Sequence, residues 1–546
     1  MPDTAAEESL GSFDYVIVGA GSAGCVLANR LSASGRYRVA VLEAGGRDDW
    51  IWFHIPVGYL YAMGNPRADW CYKTESEPGL NGRALNYPRG KVIGGCSAIN
   101  GMIYMRGQAR DFDQWRQLGN PGWGWEEVLP YFLRSEDQAR GSDELHASGG
   151  EWRVEDLRLR WDVLDRFRDA AEEMGIPKVE DFNRGTNEGS AYFQVNQRRG
   201  RRISTATAFL KPALKRPNLA LFTEAQALEI TFDGRRATGL RLRHRGQARR
   251  IEAKAAVVLS AGAINSPHLL MLSGIGPAGH LGEMGVAARH DLAGVGGNLQ
   301  DHLQLRMVYK VTGLKTLNTQ MGSLVGKAGI GLQYALLRRG PMTMAPSQLG
   351  AFARSSGEYD TPNLEYHVQP LSLDKFGEPL HAFNAFTASV CNLRPLSRGE
   401  VRLKTADPLQ QPAIRPNYLD DPLDRSVAAD ALRLTRRIVL ESAAFRPYAP
   451  EEHLPGPAYR SQEDLERAAG DVGTTIFHPV GTCRMGSDAE AVVDPQLRLK
   501  GIEGIRIADA SVMPTITSGN TNSPTIMIAE KASEMILADA EARAAA

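Results

Sequence analysis

The chain has 546 residues, 43% hydrophobic and 23% charged, enough for several compact units at about 100–200 residues each, which excludes a small binding module or a disordered chain. Lys+Arg 63 against Asp+Glu 63 leaves no formal net charge, so nucleic acid is not an expected partner. No window approaches about 18 apolar residues in a row. The acidic start, residues 1–15, lacks the basic and apolar stretches of a leader. The expectation is a cytoplasmic protein, at most peripheral on the inner membrane face. The five cysteines, Cys25, Cys71, Cys96, Cys391 and Cys483, are odd in number, scattered and never spaced CxxC, and read as reduced, mostly buried thiols.

Residues 14–18, Asp-Tyr-Val-Ile-Val, form a β-branched run that breaks at Gly19 into helical spacing through Val26, Leu27, Arg30 and Leu31. Residues 38–42 make a second apolar strand that ends at Glu43, completing a βαβ unit of about thirty residues and opening a parallel sheet. The middle of the chain carries alternating strands such as 387–393 and 399–403, which predict an antiparallel sheet walling a pocket. Residues 505–508 return to the apolar strand style. They are followed by Asp509, an irregular loop and a helix with Ser523 as N-cap and Pro524 at its first position. The predicted fold is an α/β Rossmann-like dinucleotide domain with an α+β substrate domain built on an antiparallel sheet. The first comprises residues 12–150, 218–302 and 472–540, and the second 151–217 and 303–471. No internal repeat is visible.

Gly19-x-Gly21-x-x-Gly24 puts glycine at the tight turn, at the bare backbone facing a pyrophosphate and at the helix–strand contact, with the phosphates at a helix N-terminus. Glu43, 19 positions beyond Gly24, suits a ribose diol and repels a 2′-phosphate. The same spacing at Gly274, Gly276 and Gly279 follows a helix-like stretch and contains Pro277. It reads as a turn, because proline has no N–H to offer a phosphate. With no second dinucleotide domain, the substrate itself must be the reductant, which favours FAD over NAD.

Further motifs identify a family. Residues 90–100 (GKVIGGCSAIN) with Tyr104 and Gly107, and residues 262–276 (GAINSPHLLMLSGIG), closely resemble the two signatures of the glucose–methanol–choline oxidoreductases. The resemblance runs in order through residues 296–302 (GGNLQDH), 478–486 (HPVGTCRMG) and 509–514 (DASVMP). Cys96 replaces the small residue usual in the first signature.

The resemblance implies a flavoprotein in which His478 meets the flavin and takes the alcohol proton while hydride goes to flavin N5; imidazole is the side chain best matched to that task near neutral pH. It implies that Asn522 pairs with His478 across the substrate oxygen. The cofactor residues it implies are Gly19, Gly21, Ser22, Ala23, Gly24, Glu43, Ala44, Arg89, Val92, Gly94, Gly95, Ser97, Asn100, Gly101, Met102, Ile103, Ala227, Ala261, Asp509, Ala510, Asn520, Ser523 and Thr525. Ile99 stands where some relatives carry a flavin-linking histidine, so the FAD is expected to be non-covalent. No metal site is expected.

From His302 to Gly357 there is no Asp or Glu, while Arg306, Lys310, Lys315, Lys327, Arg338, Arg339 and Arg354 are basic. Choline fits poorly, since its cation needs an aromatic and acidic cage. Met307, Met321, Leu324, Val325, Ile330, Leu332, Leu336, Leu337, Met342 and Met344 in the same stretch suggest a neutral, fairly apolar primary alcohol. Residues 324–339 also read as a basic, glycine-interrupted amphipathic segment able to rest on a bilayer and pass electrons to a membrane quinone; the expected acceptor is a quinone or a dye, with oxygen as the alternative. An oxidase releasing hydrogen peroxide, a choline dehydrogenase and a hydroxynitrile lyase are the alternatives on this scaffold. A light-driven decarboxylase fits less well, because Leu393 stands where its relatives carry cysteine.

Overall fold

A computed structural model describes residues 8–374 and 377–545. The beginning of the acidic start, residues 1–7, lies outside them. The run at residues 14–18 belongs to a longer strand, Glu8–Val18, which pairs in parallel with Val39–Leu42 on one side and Gln247–Leu259 on the other. Leu219–Phe222 extends the parallel sheet beyond Val39–Leu42, and Ile505–Ile507 joins it in parallel on the Gln247–Leu259 strand. Arg236–His244 and Ala225–Asp233 continue it antiparallel. Val16, Ile17, Val39, Ala40 and Val41 are fully buried, as expected of central strands covered on both faces.

The helix Ser22–Leu31 starts directly after the glycine turn. Gly19 has φ +99°, and a Cβ there would lie 2.6 Å from the Ser260 carbonyl oxygen. A Cβ on Gly24 would lie 1.9 Å from the Gly19 carbonyl oxygen. These two positions therefore admit only glycine, and they let helix, turn and strand close on one another. Of the second glycine pattern, expected as a turn, only Gly274 lies in one: Gly276 ends the two-residue strand Ile275–Gly276, and Gly279 lies inside the short helix Ala278–Glu283 that follows Pro277.

The second sheet is antiparallel in the order Glu451–Leu454, Leu303–Lys310, Ala385–Asn392, Leu364–Gln369, Leu349–Ala353, Gly189–Tyr192. Alternation divides its faces cleanly. Leu305, Met307, Tyr309, Val390, Ala388, Tyr366 and Val368 join one apolar cluster with Val163, Phe167, Leu432 and Leu465 from the covering helices. Gln304, Arg306, Glu365, His367, Ser389 and Cys391 occupy the opposite face, and they too are buried. A sheet buried on both faces with one of them polar points to a functional cavity on the polar side.

The expected division of the chain differs in detail. Gly473–Thr475 pairs with Leu303–Lys310 in the second sheet, although residues 472–540 were assigned to the first domain. Val401, Leu403 and Ile414, assigned to the second domain, pack in the first domain's apolar cluster. The two domains interleave because each hydrophobic segment follows the nearer core.

The helix at the chain's end spans Asn522–Ala545, two residues ahead of the predicted Pro524. The Thr525 N–H already bonds the Thr521 carbonyl, and the Ser523 hydroxyl, expected as the cap, is buried without a partner. Residues 324–339 do form a helix, Leu324–Leu337, capped by Ser323 accepting from the Gly326 N–H at 3.0 Å. Its outward positions are largely apolar: Leu324 and Val325 are 84% exposed and Leu336 72%. Tyr334 alone on it is buried, donating to the Gly200 carbonyl.

Gly24→Ala is expected to cost about 1–3 kcal/mol of stability through overpacking and to yield protein depleted of its dinucleotide. Thermal unfolding and absorbance of the purified variant check this, and an unchanged melting point with full cofactor content would show that the helix does not need this approach.

Candidate active site

One cavity runs from the glycine turn to the polar face of the antiparallel sheet. Of the residues expected from the sequence, Gly19, Gly21, Ser22, Ala23, Glu43, Ala44, Arg89, Gly95, Asn100, Gly101, Met102, Ile103, Ala227, Ala261, Asp509, Ala510, Asn520 and Thr525 line it, together with His478 and Asn522. Gly24, Val92, Gly94, Ser97 and Ser523 stand behind the wall. Gly94 donates its N–H to the Ala20 carbonyl at 2.7 Å, and the Ser97 hydroxyl donates to the Gly94 carbonyl at 2.6 Å. These residues brace the turn rather than face the cavity.

Glu43 ends its strand inside the cavity with its oxygens accepting from the Ala20 and Gly45 N–H groups, at 3.0 and 2.8 Å. Burial raises its pKa while those two donors oppose the rise. Asp509 accepts from the Gly262 N–H, the Ser266 hydroxyl and the Ser511 N–H. It thereby ties the strand Ile505–Ile507 to the turn before the helix Gly262–Leu272. The residues present fit a dinucleotide. A Cβ on Gly95 would fall 2.6 Å from Gly21 Cα, so the two loops meet as bare backbone. The first turn of the Asn522–Ala545 helix contains no acidic residue, leaving its positive end uncompensated beside the cavity. The Asn522 Nδ2, Asn520 Oδ1 and Ser523 Oγ atoms there are buried without partners.

The histidines define the chemistry. His478 Nδ1 lies 3.1 Å from His302 Nδ1, and His302 Nε2 lies 3.2 Å from the Leu393 carbonyl oxygen. A carbonyl only accepts, so His302 Nε2 carries the hydrogen. Burial lowers the pKa of His302 and favours its neutral form, which offers a lone pair at Nδ1. His478 Nδ1 must then donate, and its Nε2 keeps the lone pair. Asn520 Nδ2 donates to that Nε2 at 3.1 Å.

Asn522, expected opposite His478, instead accepts the Ser22 hydroxyl at 2.6 Å. Because the helix begins at Asn522, its side chain lies over the glycine turn, and Asn520 takes the contact with His478.

Asp301 holds the loop that carries His478. One carboxylate oxygen accepts the His478 N–H at 2.7 Å, and the other accepts the hydroxyls of Tyr87, Tyr418 and Thr475. Arg89 donates to the Phe477 carbonyl at 2.6 Å, and Phe477 sits at φ +69°. A non-glycine residue in that region costs roughly 1–3 kcal/mol, a strain the surrounding hydrogen bonds must sustain. Sequence reasoning gave no role to Asp301 or His302, although both end the quoted run 296–302.

The apolar residues expected to shape the substrate do not line the cavity. Met307 faces the apolar cluster, and Leu324, Val325, Leu332, Leu336 and Leu337 are exposed. The sheet's contribution to the wall is Gln304, Arg306, His367 and Gln369.

Burial first, then repulsion from His302 and His367 whenever those rings are protonated, and from the permanent charge of Arg89, holds the His478 imidazole well below its ordinary range. A base must be unprotonated to work, and each of these causes opposes protonation. Turnover is therefore expected to stay level as pH falls through 6.5, the ordinary histidine value, and to decline only below it. Removing one positive neighbour in Arg89→Met should move that acidic limb upward; a wild-type limb at or above the ordinary value contradicts the assignment.

Comparison with known proteins agrees with this architecture. The N-terminal and C-terminal models described as GMC oxidoreductase match residues 13–304 and 395–529. The chain is 40% identical over 529 residues to an alcohol dehydrogenase [acceptor] of Pseudomonas putida, covering 96% of each. It is also 40% identical over 526 residues to an oxygen-dependent choline dehydrogenase of Brucella suis, covering 96% of this chain and 95% of that one. Among solved structures it resembles pyridoxine 4-oxidase from Mesorbium loti, with TM-score 0.86, 32% identity, and 95% and 98% of the two chains covered. It also resembles the formate oxidase of Aspergillus oryzae, with TM-score 0.91, 27% identity, and 98% and 99% covered. With both halves matched and relatives aligned along nearly its whole length, the chain belongs to the GMC oxidoreductases and is an FAD-dependent oxidoreductase.

Proposed function

We propose that the protein oxidises a primary alcohol to an aldehyde, with His478 as the base. The observation that carries this reading is the lone pair of His478 Nε2, directed into the cavity and fixed there by the chain of hydrogen bonds through His302 to the Leu393 carbonyl. When bound, FAD supplies the two-electron acceptor that takes hydride from the carbinol carbon. The turn of Gly19, Gly21 and Ser22, with Gly95 beside it, would hold the pyrophosphate, Glu43 the ribose, and the start of the Asn522–Ala545 helix the electron-rich edge of the ring.

His478 Nε2 accepts the hydroxyl proton of the substrate in place of the Asn520 amide. His302 receives the resulting positive charge as a hydrogen bond from Nδ1, and Asp301 keeps the ring from turning by holding its backbone. Asn520, released from His478 Nε2, orients the alcohol oxygen with its amide N–H group. His478→Ala is expected to fold and to retain FAD while flavin reduction by substrate slows roughly 10²–10⁴-fold. Anaerobic stopped-flow bleaching reads the rate, and an unchanged rate removes His478 from the role. Reoxidation in air of the bleached enzyme separates an oxidase from a dehydrogenase.

For the acceptor we propose a quinone reached at a membrane surface. No helix among the described residues is long and apolar enough to cross a membrane. The exposed Leu324, Val325, Leu332, Leu336 and Leu337 stand beside exposed Lys327, Arg338 and Arg339, a pairing suited to shallow insertion into an anionic leaflet. The protein is expected to sediment with phosphatidylglycerol-containing vesicles and to lose that binding when Leu324, Val325 and Leu336 are all changed to serine; wild-type protein that stays in the supernatant overturns the membrane contact.

A further inference from the structure

We propose that the alcohol oxidised here carries a carboxylate, bound by Arg306 on the sheet wall of the cavity. The inference rests on the proposed alcohol oxidation and adds the class of substrate.

Arg306 lies on the strand Leu303–Lys310, on the polar face, and lines the cavity. It is 9% exposed. Its Nη2 is buried without a partner, and among the described residues its guanidinium makes no hydrogen bond or ion pair. Other fully buried arginines of the chain find partners for their terminal nitrogens, although Arg202 Nε has none. Arg106 meets the Glu136 carboxylate at 2.9 Å. Arg202 donates to the Ser97 and Pro56 carbonyls and to Asn100 Oδ1, at 3.3, 3.2 and 3.0 Å. An unpaired buried cation is among the costliest features a fold can carry, and it is tolerable where a ligand completes it.

Burial lowers the Arg306 guanidinium to about 10, and no neighbouring charge compensates it; at neutral pH it is still a cation. Glu365, on the same face, is two strands away and 3.3 Å from His367. The carboxylates on the cavity wall are Glu43 and Asp509, and both are engaged by N–H donors at the dinucleotide end. The substrate side therefore presents a positive charge with no acid to balance it, beside the neutral hydrogen-bonding groups of Gln304, Ser347 and Gln369. A carboxylate matches the guanidinium as a planar, two-point partner. A quaternary ammonium would lie against an uncompensated like charge, so choline is a poor substrate on this reading.

The test uses the FAD-loaded enzyme and anaerobic flavin reduction by 4-(hydroxymethyl)benzoate, 4-methylbenzyl alcohol and choline. The carboxylate is expected to exceed its methyl analogue by roughly 10–100-fold in kcat/KM, the range of a charged hydrogen bond. In Arg306→Met that ratio should fall to near one, and Arg306→Lys should keep part of it. Independently of turnover, benzoate should perturb the flavin absorbance of the wild type and not of Arg306→Met. A methyl analogue that reacts as fast as the carboxylate in the wild type overturns the inference while leaving alcohol oxidation intact. So does a preference that survives in Arg306→Met. If no alcohol bleaches the flavin, the proposed function fails, and the benzoate titration still decides the anion site: binding that persists in Arg306→Met, or is missing from the wild type, overturns it.

Discussion

The carbonyl oxygen of Leu393 can only accept a hydrogen bond, and from that constraint the protons of two histidines follow. It fixes the tautomer of His302, which fixes that of His478, which leaves one lone pair facing the cavity. Neither ring is free to choose, because both are buried and both are engaged at each nitrogen. The backbone supplies the rest of the constraint. Asp301 precedes His302 in the chain and grips the N–H of His478, so the two histidines are aligned by side chain and main chain together. If His478 is the base proposed, it would meet its substrate already in the reactive protonation state.

The two sheets divide the labour by face. The central strands of the first sheet are apolar where they are buried, and they meet the cavity at their ends, where they give way to the turns at Gly19, Glu43 and Ser260. Ligands of open α/β sheets lie beyond the carboxyl ends of the strands, and that rule applies directly. The antiparallel sheet instead offers a whole face. Its alternation allows Leu305 and Met307 to build a core while Gln304 and Arg306, their neighbours in sequence, meet the cavity.

The βαβ unit, the glycine turn and Glu43 were legible because each rests on local chemistry: a β-branched run, a backbone that only glycine permits, an acid at a fixed distance. The quoted family motifs placed His478 on the cavity wall for the same reason. What the sequence hid was pairing across distance. His302 and His478 are separated by 176 positions, and Asp301 by 177 from the N–H it holds; no periodicity reports such a contact. The stretch 303–357 misled for a related reason. Its methionines and leucines were taken together as a pocket, but strand alternation turns Met307 away and the helix Leu324–Leu337 carries the leucines to the exterior. Composition counts residues, whereas the register of a sheet decides which of them a ligand meets.

The hydrogen bond between Ser22 and Asn522 joins residues 500 positions apart. During synthesis at about 5–20 residues per second, roughly 25–100 s separate the two ends of that contact. For all that interval the glycine turn has emerged from the ribosome, yet the helix that completes its far wall has not been made. A nascent chain thus displays half a cradle, and the wall closes over the glycine turn only once the helix Asn522–Ala545 has been made.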